Sequence, residues 1–582
     1  MKRYRIVVAA AIAAAFCWLL ASSLVVAADE KDKVKNQAEG ADAAKSAGKD
    51  AKDDKDKKDP APAAGNKGQA ELDQAVEQQL NAESLADLEK VVERAEAALQ
   101  KGLDEENSKF AKQLIASTLV DHARRISEGV LGQQQPNPRW PVLRGLAVRD
   151  LDKALLHEPD NAEAHLLRAK LLVLPGGDRK EGLRSANAAV KLLKDEKEQL
   201  SEALVARAEL TEDEEQRIKD LDAAIDADPG NSDAWQARAL HFVAKGDNDK
   251  AVNDLVKLLD KKSDNVLARL MLAEVLMNLK KYDEALQQIS IALARQPGSP
   301  LAFQLRARVY LLQEKPDEAL EALGKSIEAE PRDVGALLTR AQVLVEVDKL
   351  DAAREDLDRI LQLRPGLPQA LILRSAVFVD QKKYAESIGD LRELLKKDPA
   401  NVAIRMQAAQ VYTAGGWPRH AIRILSDILK EDPDNALALR SRGDAYLNIG
   451  KHAEAIADFN KAIELQPENS GILNNLAWVL ATTPDDKLRD ADRSIKLGLK
   501  ACEVTEYKAP HILSTLASGY AEKGDFETAL KWSRKAVELS DGDSKEALKK
   551  ELESYEQKKP WREKQEAEEK PNPPMLDEKL EL

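Results

Sequence analysis

The sequence predicts an all-α chain built as a solenoid of stacked helix pairs. Three observations carry this. Of 582 residues, 43% are hydrophobic but only 4% aromatic, and Ala, Leu, Glu and Lys dominate; these are helix formers, and strand-favouring residues are sparse. From about Glu71 the apolar residues recur three and four apart, as in "LADLEKVVERAEAAL", and no alternating strand pattern follows. Finally, whole features recur every 34 residues. Pro229, Pro297, Pro331, Pro365, Pro399, Pro433 and Pro467 are separated by 34 or twice 34, with Ser263 in the missing place. A repeat of this length is one supersecondary unit that buries its apolar face only by stacking on a neighbour.

The elements follow in chain order. Residues 1–28 open with Lys2, Arg3 and Arg5, continue with a nearly apolar run from Ile6 to Ala28, and end in Val26-Ala27-Ala28 before Asp29. That pattern predicts a cleaved export signal. Twenty-three apolar residues also suffice for an uncleaved membrane anchor. Both readings place the rest of the chain outside the cytoplasm. Lipid modification of Cys17 is disfavoured by Phe16, where a small residue is wanted. Residues 29–68 mix Lys, Asp, Ala and Gly without periodicity or any aromatic residue. They predict a disordered linker, with an end-to-end distance of about 35 Å. Residues 71–161 carry degenerate helical repeats, with "LGQQQPNPRWP" as an interrupting loop, and 162–543 form the repeat array. The tail, residues 563–582, is Pro-rich and acidic and is expected to be disordered.

Within the array, Ala251, Ala285, Ala319, Ala353, Ser387, Ala421 and Ala455 keep the 34-residue spacing. So do Phe242, Leu276, Tyr310, Leu344, Phe378, Tyr412 and Tyr446, and the small residues Ala239, Ala273, Ala307, Ala341, Ser375, Ala409 and Gly443. One unit, "GDAYLNIGKHAEAIADFNKAIELQP", shows Gly443, Tyr446, Gly450, Ala455, Phe459, Ala462 and Pro467. This resembles the tetratricopeptide repeat, a helix–turn–helix of 34 residues. Seven consecutive units from Ser232 need no insertion. Small residues let the two helices approach, Tyr446 and Phe459 fill the space between units, Gly450 relieves the turn, and Pro467 stops the second helix. The region from Asn474 to Glu503, the last unit and "YEQKKPWRE" resemble the end of a group of exported bacterial repeat proteins. That resemblance implies a capping element at 544–562, its helix running from Ser544 to Gln557, and roughly twelve units in a right-handed superhelix.

One pair of positions varies together. Arg238, Arg340, Arg374 and Arg442 are each followed sixteen residues later by Asp254, Asp356, Asp390 and Asp458. Where the arginine is replaced, by Leu272 or Ala408, the aspartate is replaced too, by Gln288 or Ile424. Arg306 faces Ala322 and must find another partner. The spacing predicts an ion pair between the two helices of a unit, because a planar guanidinium holds a carboxylate through two hydrogen bonds. The alternative, a row of arginines lining a ligand groove, does not account for the co-variation.

No catalytic constellation emerges. The seven histidines include no HExxH, and "HEPDNAEAH" lacks metal-ligand spacing. The glycines of "GVLGQQQ" and "LPGGDRKEG" have no Walker lysine and no preceding strand. No GxSxG occurs. With Cys17 in the N-terminal segment, Cys502 has no partner for a disulfide if that segment is removed. A net charge of −14 offers no basic stripe for phosphates, so nucleic acid is not an expected partner. The sequence predicts no enzyme, no cofactor and no metal.

In the resembled family the first helix of each unit lines a concave groove. Carried onto this sequence, that implies Leu270, Met277, Gln304, Arg308, Leu311, Leu338, Ile372, Met406, Leu447, Asn474 and Trp478 as candidate binding residues. Such a lining suits a peptide with apolar anchors. It does not suit the acidic tails that some members clamp: Arg440 and Asn475 match that clamp, while Asp444 and Thr515 do not. The expected function is a non-catalytic scaffold binding other proteins or peptides. The alternative is an envelope-anchored protein that positions an enzyme or a cell-wall component, touching the membrane only if residues 6–28 are retained.

Overall fold

The 34-residue period is drawn in the backbone before it is seen in the packing. In the computed structural model, which describes residues 66–131, 139–563 and 569–575, the helix Ala436–Leu447 is followed by His452–Leu465. Asn435 precedes the first helix in an extended conformation, and its side chain accepts a hydrogen bond from the amide of Ala438. Asn231, Asn265, Ser299, Asp333, Asn401 and Asn469 do the same one or more periods away. Each satisfies a backbone donor that the helix start leaves open.

The turn between the two helices needs a left-handed residue. It falls on Gly246, Lys280, Glu314, Asp348, Lys382, Gly416 and Gly450, all with φ between 58° and 88° and all on the 34-residue grid. Only three of the seven are glycine, so the turn is imposed by packing and not by local preference alone. The second helix ends two residues before the recurring proline, as Leu465 does before Pro467. Proline lacks the amide the helix would need and pushes its predecessor into extended backbone.

Among the described residues there are 27 α-helices and no strand. The chain divides into two compact units, the first ending at Arg295 and the second starting at Gln296. The first holds six helix hairpins, from Gln69–Leu80 with Leu85–Lys101 to Val266–Asn278 with Tyr282–Arg295. The second holds seven, from Pro300–Leu312 with Pro316–Ala329 to Pro510–Glu522 with Phe526–Glu538, then the single helix Gly542–Glu556. Within each unit a helix packs on its hairpin partner and then on the next hairpin, which makes the fold an all-α solenoid. Small residues permit the close approach: Ala455 and Ala462 are wholly buried, and a Cβ on Gly443 would meet the Phe459 ring at 2.5 Å.

The export segment 1–28 and the linker up to residue 65 lie outside the described residues, as does the centre of the expected loop, 132–138. The tail expectation needs correction. Glu569–Met575, expected to be disordered, lie against the second unit. The Lys570 amide donates to Gly416 O (3.1 Å), the Tyr412 hydroxyl to Pro574 O (2.5 Å), and Arg392 to Met575 O (3.2 Å). Arg419 pairs with Glu569 at 2.5 Å. Composition overstated disorder because it does not register the aromatic platform of Tyr412 and Trp417 on which this segment rests.

Candidate functional site

The arginines of the repeat are structural. Arg238, Arg340, Arg374 and Arg442 each donate from Nε and Nη2 to both oxygens of the aspartate sixteen residues on, at 2.6–3.0 Å. Those four aspartates are buried. The fork-to-fork hydrogen bonds hold each guanidinium pKa above its ordinary value, against the cost of burial. Nη1 reaches the other way, sixteen residues back: Arg238 to Asp222 (2.8 Å), Arg374 to Asp358 (2.6 Å) and Arg442 to Ser426 (3.0 Å). Gly324 occupies that place before Arg340 and offers no side chain. The arginine thus ties its own hairpin and clasps the preceding one. Sequence spacing showed the first bond, but the second was missed, though Asp222 and Asp358 stand at matching offsets.

In the two hairpins without this arginine, substitutes appear. Arg269 donates to Gln288 (3.1 Å), and Arg405 pairs with Glu431 (3.0 Å). His165 is likewise structural. Its Nε2 lies 2.9 Å from Pro159 O, just as the Trp235 indole donates to Pro229 O at 3.0 Å.

The proposed groove residues separate into three groups. Leu270, Met277, Leu338 and Met406 are no more than 8% exposed. They pack between helices and offer a ligand almost nothing, which corrects their assignment to a binding surface. Gln304 is spent on Asp333 (2.5 Å) and Ser326 (3.3 Å), while Arg308 and Leu311 are half-buried and Ile372 is exposed. Leu447, Asn474 and Trp478 are brought together, lining a cavity of about 760 Å³ in the second unit with Asp444, Asn475, His511, Ser514, Thr515, Glu551 and Glu563.

The helices Ala436–Leu447, Ser470–Thr482, Pro510–Glu522 and Gly542–Glu556 supply most of these walls. The rest comes from the turn at 448–450 and from the chain after the last helix. Trp561 packs beside Tyr555, Arg562 pairs with Glu522 (2.6 Å), and the Glu563 amide donates to Thr482 O (2.9 Å). Glu563 is thereby held in the wall.

Acceptors dominate this cavity. Asn475 donates to Asp444 Oδ1 (2.6 Å), and Arg440 stands 4.0 Å from the same carboxylate. Ser514 donates its hydroxyl to Glu551. Asn474 Oδ1 and Glu563 Oε2 are buried with no hydrogen-bond partner. Burial raises all three carboxyl pKa values: Asp444 against the pull of Arg440 and Asn475, Glu563 against a Trp478 hydrogen bond, and Glu551 to about 7. An acidic ligand would meet three carboxyl groups that burial already disfavours as anions. Elsewhere, burial pushes the Cys502 thiol up to about 11, which leaves it a thiol and not a nucleophile at neutral pH. Among the described residues no group of three His, Cys, Asp or Glu has metal-binding geometry, and no helix is long and apolar enough to cross a membrane.

Comparisons with known proteins add sequence and fold relatives. Residues 242–309, 305–368, 378–443 and 436–469 match family descriptions of the tetratricopeptide repeat. The DnaJ homolog subfamily C member 3 proteins of Bos taurus and Homo sapiens are each 34% identical over 87 residues, 15% of this chain; the match spans 16% of their length. Among solved structures, yeast Tom70 is 14% identical, covering 84% of this chain and 95% of that one, with a TM-score of 0.33. A tetratricopeptide repeat protein from Parabacteroides merdae ATCC 43184 is 21% identical, covering 43% and 98%, with a TM-score of 0.30. Over residues 242–368 and 378–469 the hairpin that recurs on the 34-residue grid is the tetratricopeptide repeat.

Proposed function

We propose that the chain is a non-catalytic scaffold that binds other proteins or peptides along the concave face of its repeats. Tetratricopeptide repeats generally mediate protein–protein interaction. The observation that carries the reading here is the cavity in which Leu447, Asn474 and Trp478 converge. It has room for several side chains of a bound segment and is walled by polar groups that select among ligands. The test is an affinity capture from the cell envelope, comparing wild type with Leu447→Glu/Trp478→Ala. A partner retained by wild type and lost by the variant supports recognition at this face. Equal capture by both moves binding to another surface.

The proposed location is outside the cytoplasm, carried by the basic and then apolar residues 1–28. A second reading, an envelope tether, is favoured by the length of that apolar run, which could be retained as an anchor. Membrane fractionation with a salt wash separates the two. A cleaved, freely exported scaffold leaves the membrane, and an anchored one stays.

A further inference from the structure

We propose that the cavity walled by Asp444, Trp478, Glu551 and Glu563 is a receptor for a basic side chain, the ammonium or guanidinium of a bound protein or peptide, and that the C-terminal segment completes it by supplying Glu563. This rests on the scaffold reading and names the chemistry of what the scaffold holds.

The cavity is furnished for donors. Asp444, Glu551 and Glu563 line it, yet the cations near them are few. Arg440 stands 4.0 Å from Asp444, and Arg562 is turned to Glu522. His511, Asn474 and Asn475 also line the cavity. Glu551 is nine-tenths buried and accepts a hydrogen bond from the Ser514 hydroxyl. Asn474 Oδ1 and Glu563 Oε2 are buried acceptors with nothing to accept from. A buried acceptor without a donor costs free energy unless a ligand completes it. Lysine brings three donors and arginine five, with no acceptor to conflict with these walls.

The indole of Trp478 fits the same occupant. A cation over an aromatic face is attracted by the ring quadrupole, most strongly for tryptophan. A carboxylate ligand would be repelled, and an aliphatic side chain would leave the acceptors unpaired.

Glu563 makes the site conditional on the end of the chain. Trp561 packs beside Tyr555, Arg562 binds Glu522 and Ala481 O, and the Glu563 amide binds Thr482 O. These contacts deliver one carboxylate of the three from a segment outside the helical repeats.

The test uses the full chain labelled with 5-fluorotryptophan, the Trp478 signal being assigned with Trp478→Phe. The probes are N-acetyl-lysine methylamide and N-acetyl-arginine methylamide, against their uncharged counterparts, the norleucine and citrulline methylamides. The charged probes should shift the Trp478 signal and bind at least tenfold more tightly than the uncharged ones. Glu551→Gln and Glu563→Gln should each weaken them severalfold, while Glu393→Gln on an exposed helix face should not. Glu563→Gln leaves the repeats untouched, so its effect cannot be assigned to unfolding. Equal binding of charged and uncharged probes would overturn the proposal, and so would an unchanged response in both glutamine variants. The envelope capture separates the two levels. Partner capture unaffected by Glu551→Gln/Glu563→Gln keeps the scaffold and removes the pocket's role; probe binding without any captured partner keeps the pocket and removes the scaffold.

Discussion

Arg374 holds Asp390 by two parallel hydrogen bonds, 3.0 Å from Nε and 2.6 Å from Nη2, joining the two helices of one repeat. A third, from Nη1 to Asp358 at 2.6 Å, joins that repeat to the one before it. Removing the arginine leaves a buried carboxylate unpaired, so Arg374→Ala should destabilise the folded chain by about 3 kcal/mol. Arg374→Lys should recover only part of this, since an ammonium cannot make the fork. Replacing both partners, Arg374→Met with Asp390→Leu, should lie within about 1 kcal/mol of wild type. Urea unfolding of the four chains checks all three statements. A double variant as unstable as the alanine single variant would show that packing of the arginine stem, and not charge, sets the cost.

Lys382 sits in the left-handed turn of its hairpin at φ 58° and is exposed. Gly246, Gly416 and Gly450 fill the equivalent place in other repeats. Lys382→Gly should therefore stabilise by about 0.5–1 kcal/mol, the relief of left-handed strain exceeding the added freedom of the unfolded chain. Thermal unfolding reads the change, and Glu314→Gly, in the same turn two hairpins earlier in the second unit, should behave alike. A fall in stability would mean that the turn is not strained by its side chain.

The parts of this protein that were legible in the sequence are those repeated many times. Proline, small residues and the Arg–Asp spacing recur on one grid, so Arg442 and Asp458 could be paired without coordinates. What occurs once was not legible. Met277 and Met406 fall at lining positions in the repeat register, but the helices beside them close over the side chains. A register gives a direction, whereas burial depends on the volume of neighbours. Asn474 and Trp478 were found because the same register holds where the array departs from its period. Glu563 was missed as a wall of their cavity, since only the return of the chain after Trp561 brings it there.

Glu569–Met575 covers Trp417, which is 8% exposed, and Lys570 lies over both Trp417 and Tyr384 at 5.9 and 6.0 Å. Deleting residues 569–582 should raise acrylamide quenching of Trp417, measured as the difference from the same chain carrying Trp417→Phe. Tyr412→Phe removes the hydroxyl that binds Pro574 O and should give a smaller rise, since one neutral hydrogen bond contributes about 1 kcal/mol. Unchanged quenching in the deletion would mean that the segment does not rest on this platform in solution.

Glu551 gives the chain a pH dependence opposite to that of most carboxylates. Burial raises its pKa from 4.5 to about 7, although the Ser514 hydroxyl favours the ionised form. Between those values the folded chain holds a proton that the unfolded chain has released, so stability falls as pH rises through this window. The contribution is fully present below about pH 4.5 and gone above about pH 7. Glu551→Gln keeps the place and shape of the side chain but carries no charge. It should match wild type near pH 4.5 and exceed it at pH 8, by on the order of 3 kcal/mol. Urea midpoints for the two chains across this range give the difference directly, with groups common to both cancelling. A difference that does not grow with pH would mean that Glu551 is ionised at ordinary pH in the folded chain, with a counter-charge already beside it. The cavity would then have less need of a basic side chain from a partner.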